Sequence, residues 1–398
     1  MPKVSTSSLP LDGLFAIVKP SGPTSMSILD RLKPLLARSR LLVDQEEYQK
    51  ALAEKEKQKK RRGKFKSGRM SKPSDRPKLG QGGTLDPLAD GVLVNFLNVL
   101  KYAQFCYYSF QPQTGTQEYS TTALLGCETD SYDSNGAIVR TLPYAHLTQE
   151  DVEKVLSRFR GDIKQMPPIF SALKMDGKPL YEYARENKPL PRPIEARSCT
   201  VYELVLERWI PAAQSSDDTE GHHYKFPEKE ITEEQRNSMN QVKELVLKAE
   251  ADAHPSEEQS AVVNALRQTT PPTAAGDQAD TDRPPAFVLR MVVSSGTYVR
   301  SIVHDIGIAL GTAAHVVTLT RTRQGKYNLA SAQGTVISQS SVSPDVDRPE
   351  LMDGNCIKWD VFERALALGD GQEETSRLAE GEEWEEWEQA ILQSWSED

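Results

Sequence analysis

Apolar residues in this 398-residue chain gather in short blocks separated by two long polar stretches. The first block, residues 14–19, reads as a strand, because its short apolar run closes on Pro20, Ser21, Gly22 and Pro23. Thr24 or Ser25 then caps a predicted helix whose Ile28, Leu29, Leu32, Leu35 and Leu36 recur at helical spacing. Pro34, inside that pattern, is placed to kink or shorten it. Gly80-Gln81-Gly82-Gly83 cannot continue a helix, and Asp86-Pro87 followed by LADGVLVNFL suggests a loop delivering a helix or a strand. Further strands are predicted at 119–125, 137–140, 199–209, 286–293 and 315–321. Thr148-Gln149-Glu150-Asp151 resembles a capping box that opens a helix through Phe159, and a second helix is expected over 297–310. Asp176-Gly177 is the signal of a tight hairpin.

The two polar stretches read as insertions. Residues 42–78 turn polar and then strongly basic (KEKQKKRRGKFKSGR), with no apolar period, which suggests a mobile insertion or a poorly ordered extension of the preceding helix. Residues 211–283 are acid-rich and of low complexity, apart from a helical-looking part near 239–249, and lie between two strands of one domain. Near the end, Trp384, Trp387, Ile391 and Trp395 recur at spacings of three, four and four, on one helical face. That face either docks on the body or binds a partner. The pattern gives an α+β chain, with one domain over 1–330 carrying both insertions and a short acidic, Trp-rich module over 331–398.

Charge sharpens this picture. The formal net charge is −9, yet residues 371–398 alone hold ten acidic side chains against one basic, so the rest of the chain is neutral. Within it, basic residues outnumber acidic ones thirteen to three over 50–78. A dense basic segment on a neutral body suits phosphate binding. With no run of about 18 apolar residues, no membrane span is expected. The start of the chain lacks the apolar core of a secretion signal. Four scattered cysteines (Cys106, Cys127, Cys199, Cys356) read as reduced structural thiols of an intracellular protein. The six histidines show no metal-ligand spacing, and His222-His223, within the polar insertion, reads as solvated.

Alone, Asp86 before Pro87 at the head of an apolar run is most simply a helix N-cap. Its company changes that. Five blocks, Lys19–Ser25 as KPSGPTS, then GQGGTLDPLADGVL, QEYSTTALLGCETDSYDSNG, QMPPIFSALKMDGKPLYEYAR and SGTYVRSIVHDIGIALGTAAHVVTLTRTRQG, stand in one order. Together they resemble the TruB family of pseudouridine synthases, in its eukaryotic, fungal-like, stand-alone branch. The resemblance implies the pseudouridine synthase fold, a central mixed, largely antiparallel sheet with flanking helices and an RNA-binding cleft. It implies isomerisation of the T-loop uridine of tRNA, position 55, to pseudouridine after base flipping. Asp86 would carry the chemistry, by attack on the uracil ring or the ribose, or by removing a ribose proton. Tyr119 would stack on the base, Tyr298 would be a second pocket aromatic, Arg300 would pair with the carboxylate, and Leu319 would line the pocket. Lys19 and Pro20 would shape its floor, beside Gln81 and Gly83 of the second block.

The same resemblance implies no cofactor, no metal and no guide RNA, and a monomer acting on the T-arm, with T-loop-like hairpins in mRNA as further substrates. Two departures stand out. Gln81 occupies a place where many members carry histidine, and the acidic tail replaces the basic PUA domain common in relatives. A tRNA-folding chaperone, active through binding alone, is the competing reading. The basic cluster at Lys59-Lys60-Arg61-Arg62 either touches RNA or directs nuclear import, which makes the nucleus, and after it the mitochondrion, the expected location.

Overall fold

In the computed structural model, residues 9–11, 13–61, 79–97, 115–186, 188–212, 222–237, 239–240, 283–329, 354–369 and 384–395 are described. The chain opens with β1 (Gly13–Lys19), α1 (Ser25–Leu36), α2 (Gln45–Arg61), β2 (Leu79–Gln81) and β3 (Asp90–Leu97). There follow β4 (Gln117–Leu125), β5 (Cys127–Thr129), β6 (Ile138–Thr141), α3 (Gln149–Leu156), β7 (Gly161–Gln165), and the hairpin β8 (Lys174–Met175) and β9 (Lys178–Pro179). Next come α4 (Leu180–Arg185), β10 (Arg197–Ile210), β11 (Ala286–Val293), α5 (Val299–Ala309), β12 (Ala314–Gln324) and β13 (Tyr327–Asn328). The last elements are β14 (Ile357–Lys358), α6 (Trp359–Gly369) and α7 (Glu386–Ser394). The chain is α+β and divides into two compact units, one formed by 1–114, 323–333 and 351–398, the other by 115–322 and 334–350.

In the first unit β1 runs antiparallel to β3, from Gly13 opposite Leu97 to Lys19 opposite Gly91, and parallel to β14. Both β1 and β3 are buried at every position, so their apolar runs are unbroken rather than alternating. One face packs Leu14, Ala16 and Val18 with Val92, Val94, Phe96, Tyr327 and Leu329. On the other, Phe15 stacks against Trp395 with ring centroids 6.3 Å apart. The Trp-rich helix is therefore docked on its own unit. Trp387 and Ile391 are buried, the Ser394 hydroxyl accepts from Ala16 N (3.2 Å), and Glu388 accepts from Ser39 Oγ (2.5 Å).

The second unit orders its strands β12-β4-β11-β10-β7. β4 and β11 pair antiparallel without a break from Gln117–Val293 to Leu124–Ala286, while β10 carries two bulges against β11. The predicted capping box is present, with Thr148 Oγ1 accepting from Asp151 N. So is the Asp-Gly hairpin, whose Asp176 and Gly177 both take positive φ (51° and 80°), as a type I′ turn needs.

Three expectations change. The segment after residue 42 forms α2, a 17-residue helix with no buried side chain among those described. Its Glu, Gln, Lys, Ala and Arg content supplies propensity without an apolar face, and its acidic first turn complements the helix dipole. Pro34 does not break α1, which ends two residues later. In the acidic insertion, residues 222–237 are anchored on the body by a few packed side chains. His222 is buried rather than solvated, its Nε2 donating to Pro284 O (2.8 Å), and Ile231 is buried with Ala137 and Val139. The helical-looking 239–249 stretch and the basic run beyond Arg61 lie outside the described residues, apart from Met239 and Asn240.

Candidate active site

The first unit joins two motifs that lie some sixty residues apart in the chain. β1 ends at Lys19, whose side chain is fully buried, and its ammonium donates to the carbonyls of Pro20 (2.9 Å), Ala89 (2.6 Å) and Pro87 (3.5 Å). Ser21 Oγ donates to Leu88 O (2.7 Å), and Gly22 N to Pro87 O (2.8 Å). Ser25 Oγ both accepts from Leu85 N (2.9 Å) and donates to Leu85 O (3.0 Å). The loop from Leu85 to Ala89 is thus clamped at nearly every residue by KPSGPTS, with half-buried Asp86 inside it. Lys19 is neither a surface lysine nor a reactive one in this setting; it is the cation that ties the loop down. Pro20 contributes one of its acceptors.

Asp86 is not a helix cap. Ala89 N donates to Asp86 O (3.2 Å) in a tight turn, and the chain then enters β3. On the near side of the loop, Gln81 Nε2 donates to Thr84 Oγ1 (3.1 Å). Gly83 has φ 147°, which few L side chains adopt, and a Cβ on Gly82 would sit 3.0 Å from the Phe96 ring. Gly82 O accepts from Gln324 Nε2 (2.7 Å). The glycines are needed for the close passage over β3.

The second unit holds the other expected residues. Arg300, in the first turn of α5, is buried rather than facing solvent. Its Nη1 donates to Ser131 O and lies 3.6 Å from Asp133 Oδ2, while Nη2 donates to Phe170 O (2.9 Å). Half-buried Tyr298 precedes that helix, its backbone doubly bonded to Gln165, with N donating to Oε1 (2.7 Å) and O accepting from Nε2 (2.9 Å). Tyr119 on β4 is buried, its phenol donating to Gln117 Oε1 (2.9 Å). Leu319 lies buried on the neighbouring strand β12.

Sequence reasoning missed Arg321, which is 1% exposed and approaches the Tyr119 phenol with Nη1 at 3.5 Å. Strand alternation could have found it, since a residue two places after Leu319 shares its face. Also missed was the ionic cluster behind Arg300. Glu128 pairs with Arg140 through Nε and lies 3.3 Å from His304 Nε2, and His304 Nδ1 is 3.1 Å from Asp305. Burial opposes charge on His304, but hydrogen bonds to Asp305 and Glu128 outweigh it and push the pKa up to about 9. The thiol of Cys127 is pushed up to about 12 by burial and by Glu128, so it is no nucleophile.

Comparison with known proteins identifies the family. Residues 70–225 match the family model described as TruB family pseudouridylate synthase (N terminal domain). Residues 300–339 match that of the tRNA pseudouridylate synthase B C-terminal domain. The chain is 37% identical to tRNA pseudouridine synthase 4 of Schizosaccharomyces pombe over 356 residues, covering 80% of this chain and 79% of the relative. It is 36% identical to the protein of the same name from Saccharomyces cerevisiae over 333 residues, 80% of this chain and 78% of the relative. Human pseudouridylate synthase TRUB1 is 28% identical over 331 residues, 82% of this chain and 64% of that protein. The chain belongs to the TruB family of pseudouridine synthases.

Proposed function

We propose that this protein isomerises a uridine of tRNA, the T-loop uridine at position 55, to pseudouridine through the carboxylate of Asp86. The observation that carries the reading is the clamp of Lys19, Ser21, Gly22 and Ser25 on the Leu85–Ala89 loop, which presents one carboxylate from a rigid support rather than at a helix end. Two relatives, 37% and 36% identical to it over the aligned residues, carry the name tRNA pseudouridine synthase 4.

In this reading the N1–C1′ bond of the uridine breaks, the uracil turns, and C5 bonds to C1′. The hydrogen of C5 leaves to solvent and N1 ends protonated, so atoms balance with no second substrate and no redox partner. Asp86 acts by attack on the ring or the ribose, or as a base toward a ribose proton. Arg300 is the residue that the resemblance assigns to pair with that carboxylate, as a guanidinium pairs with an acid. Tyr119 and Tyr298 provide platforms for the extruded base, and Leu319 an apolar wall. The protein acts as a monomer without guide RNA, reading the folded loop by shape and unstacked edges. Hairpins in mRNA that mimic the T-loop are substrates of the same pocket, and the basic run starting in α2 meets RNA phosphates. The protein works in the nucleus, with the mitochondrion as a second site.

The test is base-resolution mapping of pseudouridine after incubation with unmodified tRNA and with a T-arm minihelix. The expected product is pseudouridine at position 55 in both and at no other uridine. Product elsewhere, or none with wild type, contradicts the reading. Binding that folds tRNA without product would favour the chaperone instead.

A further inference from the structure

Tyr132 is a non-glycine residue in the left-handed region, with φ 63°. Such a conformation is costly for an L side chain and persists only where the surroundings over-determine it. Its two neighbours in sequence hold one end of the Arg300 guanidinium: the Ser131 carbonyl accepts from Nη1, and Asp133 Oδ2 lies 3.6 Å from the same nitrogen, while Phe170 O takes Nη2. The strained residue is therefore the pivot of the turn that fixes the guanidinium.

The turn is over-determined on two sides. β12 holds its backbone, with Val316 N donating to Tyr132 O (3.0 Å) and Ser134 N to Val316 O (2.8 Å). Inside the turn, Asp133 Oδ1 accepts from Ser131 Oγ (2.7 Å) and Asn135 N (3.0 Å), and a Cβ on Gly136 would fall 2.4 Å from Ser131 Oγ. On the other side, the Tyr132 ring stacks on His304 with centroids 3.9 Å apart and an interplanar angle of 22°. His304 lies one helical turn beyond Arg300 on α5, locked between Glu128 of β5, itself paired with Arg140 of β6, and Asp305.

The geometry points to His304 and Tyr132 as positioning residues for Arg300, acting through the turn at residues 130–136. The imidazole anchors the ring, the ring sets the backbone, and the backbone aims the acceptors at Ser131 and Asp133. A protonated imidazole strengthens the arrangement, because a cation against the face of a tyrosine is attracted by its ring quadrupole. This inference rests on the proposed role of Arg300 in the reaction.

The experiment is a double-mutant cycle in steady-state kinetics on unmodified tRNA, joining His304→Gln and Tyr132→Gly with Arg300→Lys. Glycine accepts the left-handed backbone, so Tyr132→Gly removes the ring without adding strain, and Tyr132→Phe keeps the ring. Each of the first two is expected to lower kcat by about ten- to a hundredfold, the scale of a small misplacement of a catalytic group, with KM changed by less than about twofold. Tyr132→Phe is expected to restore nearly the wild-type kcat. Added to Arg300→Lys, neither loss should appear again, since the relay has no other route to the reaction. Wild-type kcat in both His304→Gln and Tyr132→Gly, or full additivity with Arg300→Lys, overturns the inference. If Arg300→Lys alone keeps full kcat, the role of Arg300 fails instead. Should His304→Gln not fold, the contrast between Tyr132→Gly and Tyr132→Phe decides the matter.

Discussion

A buried lysine ammonium that spends its donors on main-chain carbonyls is unusual enough to be diagnostic. Lys19 stands at 0% exposure and bonds to Pro20, Pro87 and Ala89, so its charge stabilises a loop rather than the surface. Replacing it with methionine takes the ammonium away from the Pro20 and Ala89 carbonyls, and Lys19→Met is expected to lower unfolding free energy by about 2–4 kcal/mol in urea denaturation. A loss within error would show that the loop does not depend on the clamp. His304 gives a second prediction at this scale. Its folded-state pKa lies at about 9, above the ordinary histidine value. A raised pKa means stability fully present below the unfolded value and lost as pH rises through the folded one. Urea midpoints are therefore expected to fall between about pH 6.5 and 9, and His304→Gln should abolish that contribution. From the sequence, residues could be named where a motif carried them, but the buried setting of each could not be read. Nothing in the motifs separates a solvated Lys19, Arg300 or His222 from a buried one, because burial is decided by distant chain.

Elements were legible wherever the apolar period was clean. β11 matches its predicted span residue for residue, and β1, β4, β6, β10, α5 and β12 match within about three residues at each end, the usual uncertainty of helix and strand ends. The stretch after Asp86 was ambiguous between helix and strand because β3 is buried on both faces, which erases the alternation that marks a strand. α2 was missed for the opposite reason, since a helix supported by propensity and charge shows no apolar stripe. α7 shows the stripe at full strength, and of the two readings its period left open, the docked face is the one present, with Trp387 and Ile391 buried. Trp387 is 3% exposed, so Trp387→Ala is expected to cost about 3–5 kcal/mol of stability, seen as a lowered Tm with the acidic tail still attached. A change below about 1 kcal/mol would mean that the helix contributes little to the first unit.

At the scale of the whole molecule, net charge misleads. The acidic end accounts for the full −9, while a basic run begins inside α2, a helix rooted by Gln45, whose side-chain amide donates to the carbonyls of Ala37, Ser39 and Val43. If that run meets RNA, log affinity for tRNA should fall with log salt. Replacing Lys50, Lys57, Lys59, Lys60 and Arg61 by glutamine should then flatten the slope by about 0.7–0.9 for each phosphate that is no longer neutralised. An unchanged slope would assign the run to a task other than RNA binding. Family and chemistry were legible across the chain because five blocks carry them in order; the support behind the blocks, from the loop clamp to the cluster at His304, is tertiary and was not. The central claim is that Asp86 drives an isomerisation at C5 of uridine. Tritium release from tRNA labelled at C5 of its uridines measures that event directly, as the hydrogen leaves only when C5 bonds to C1′. The account expects release by the wild type to a limit of one uridine per tRNA, and none above background by Asp86→Asn. Release at the wild-type rate by Asp86→Asn would contradict it.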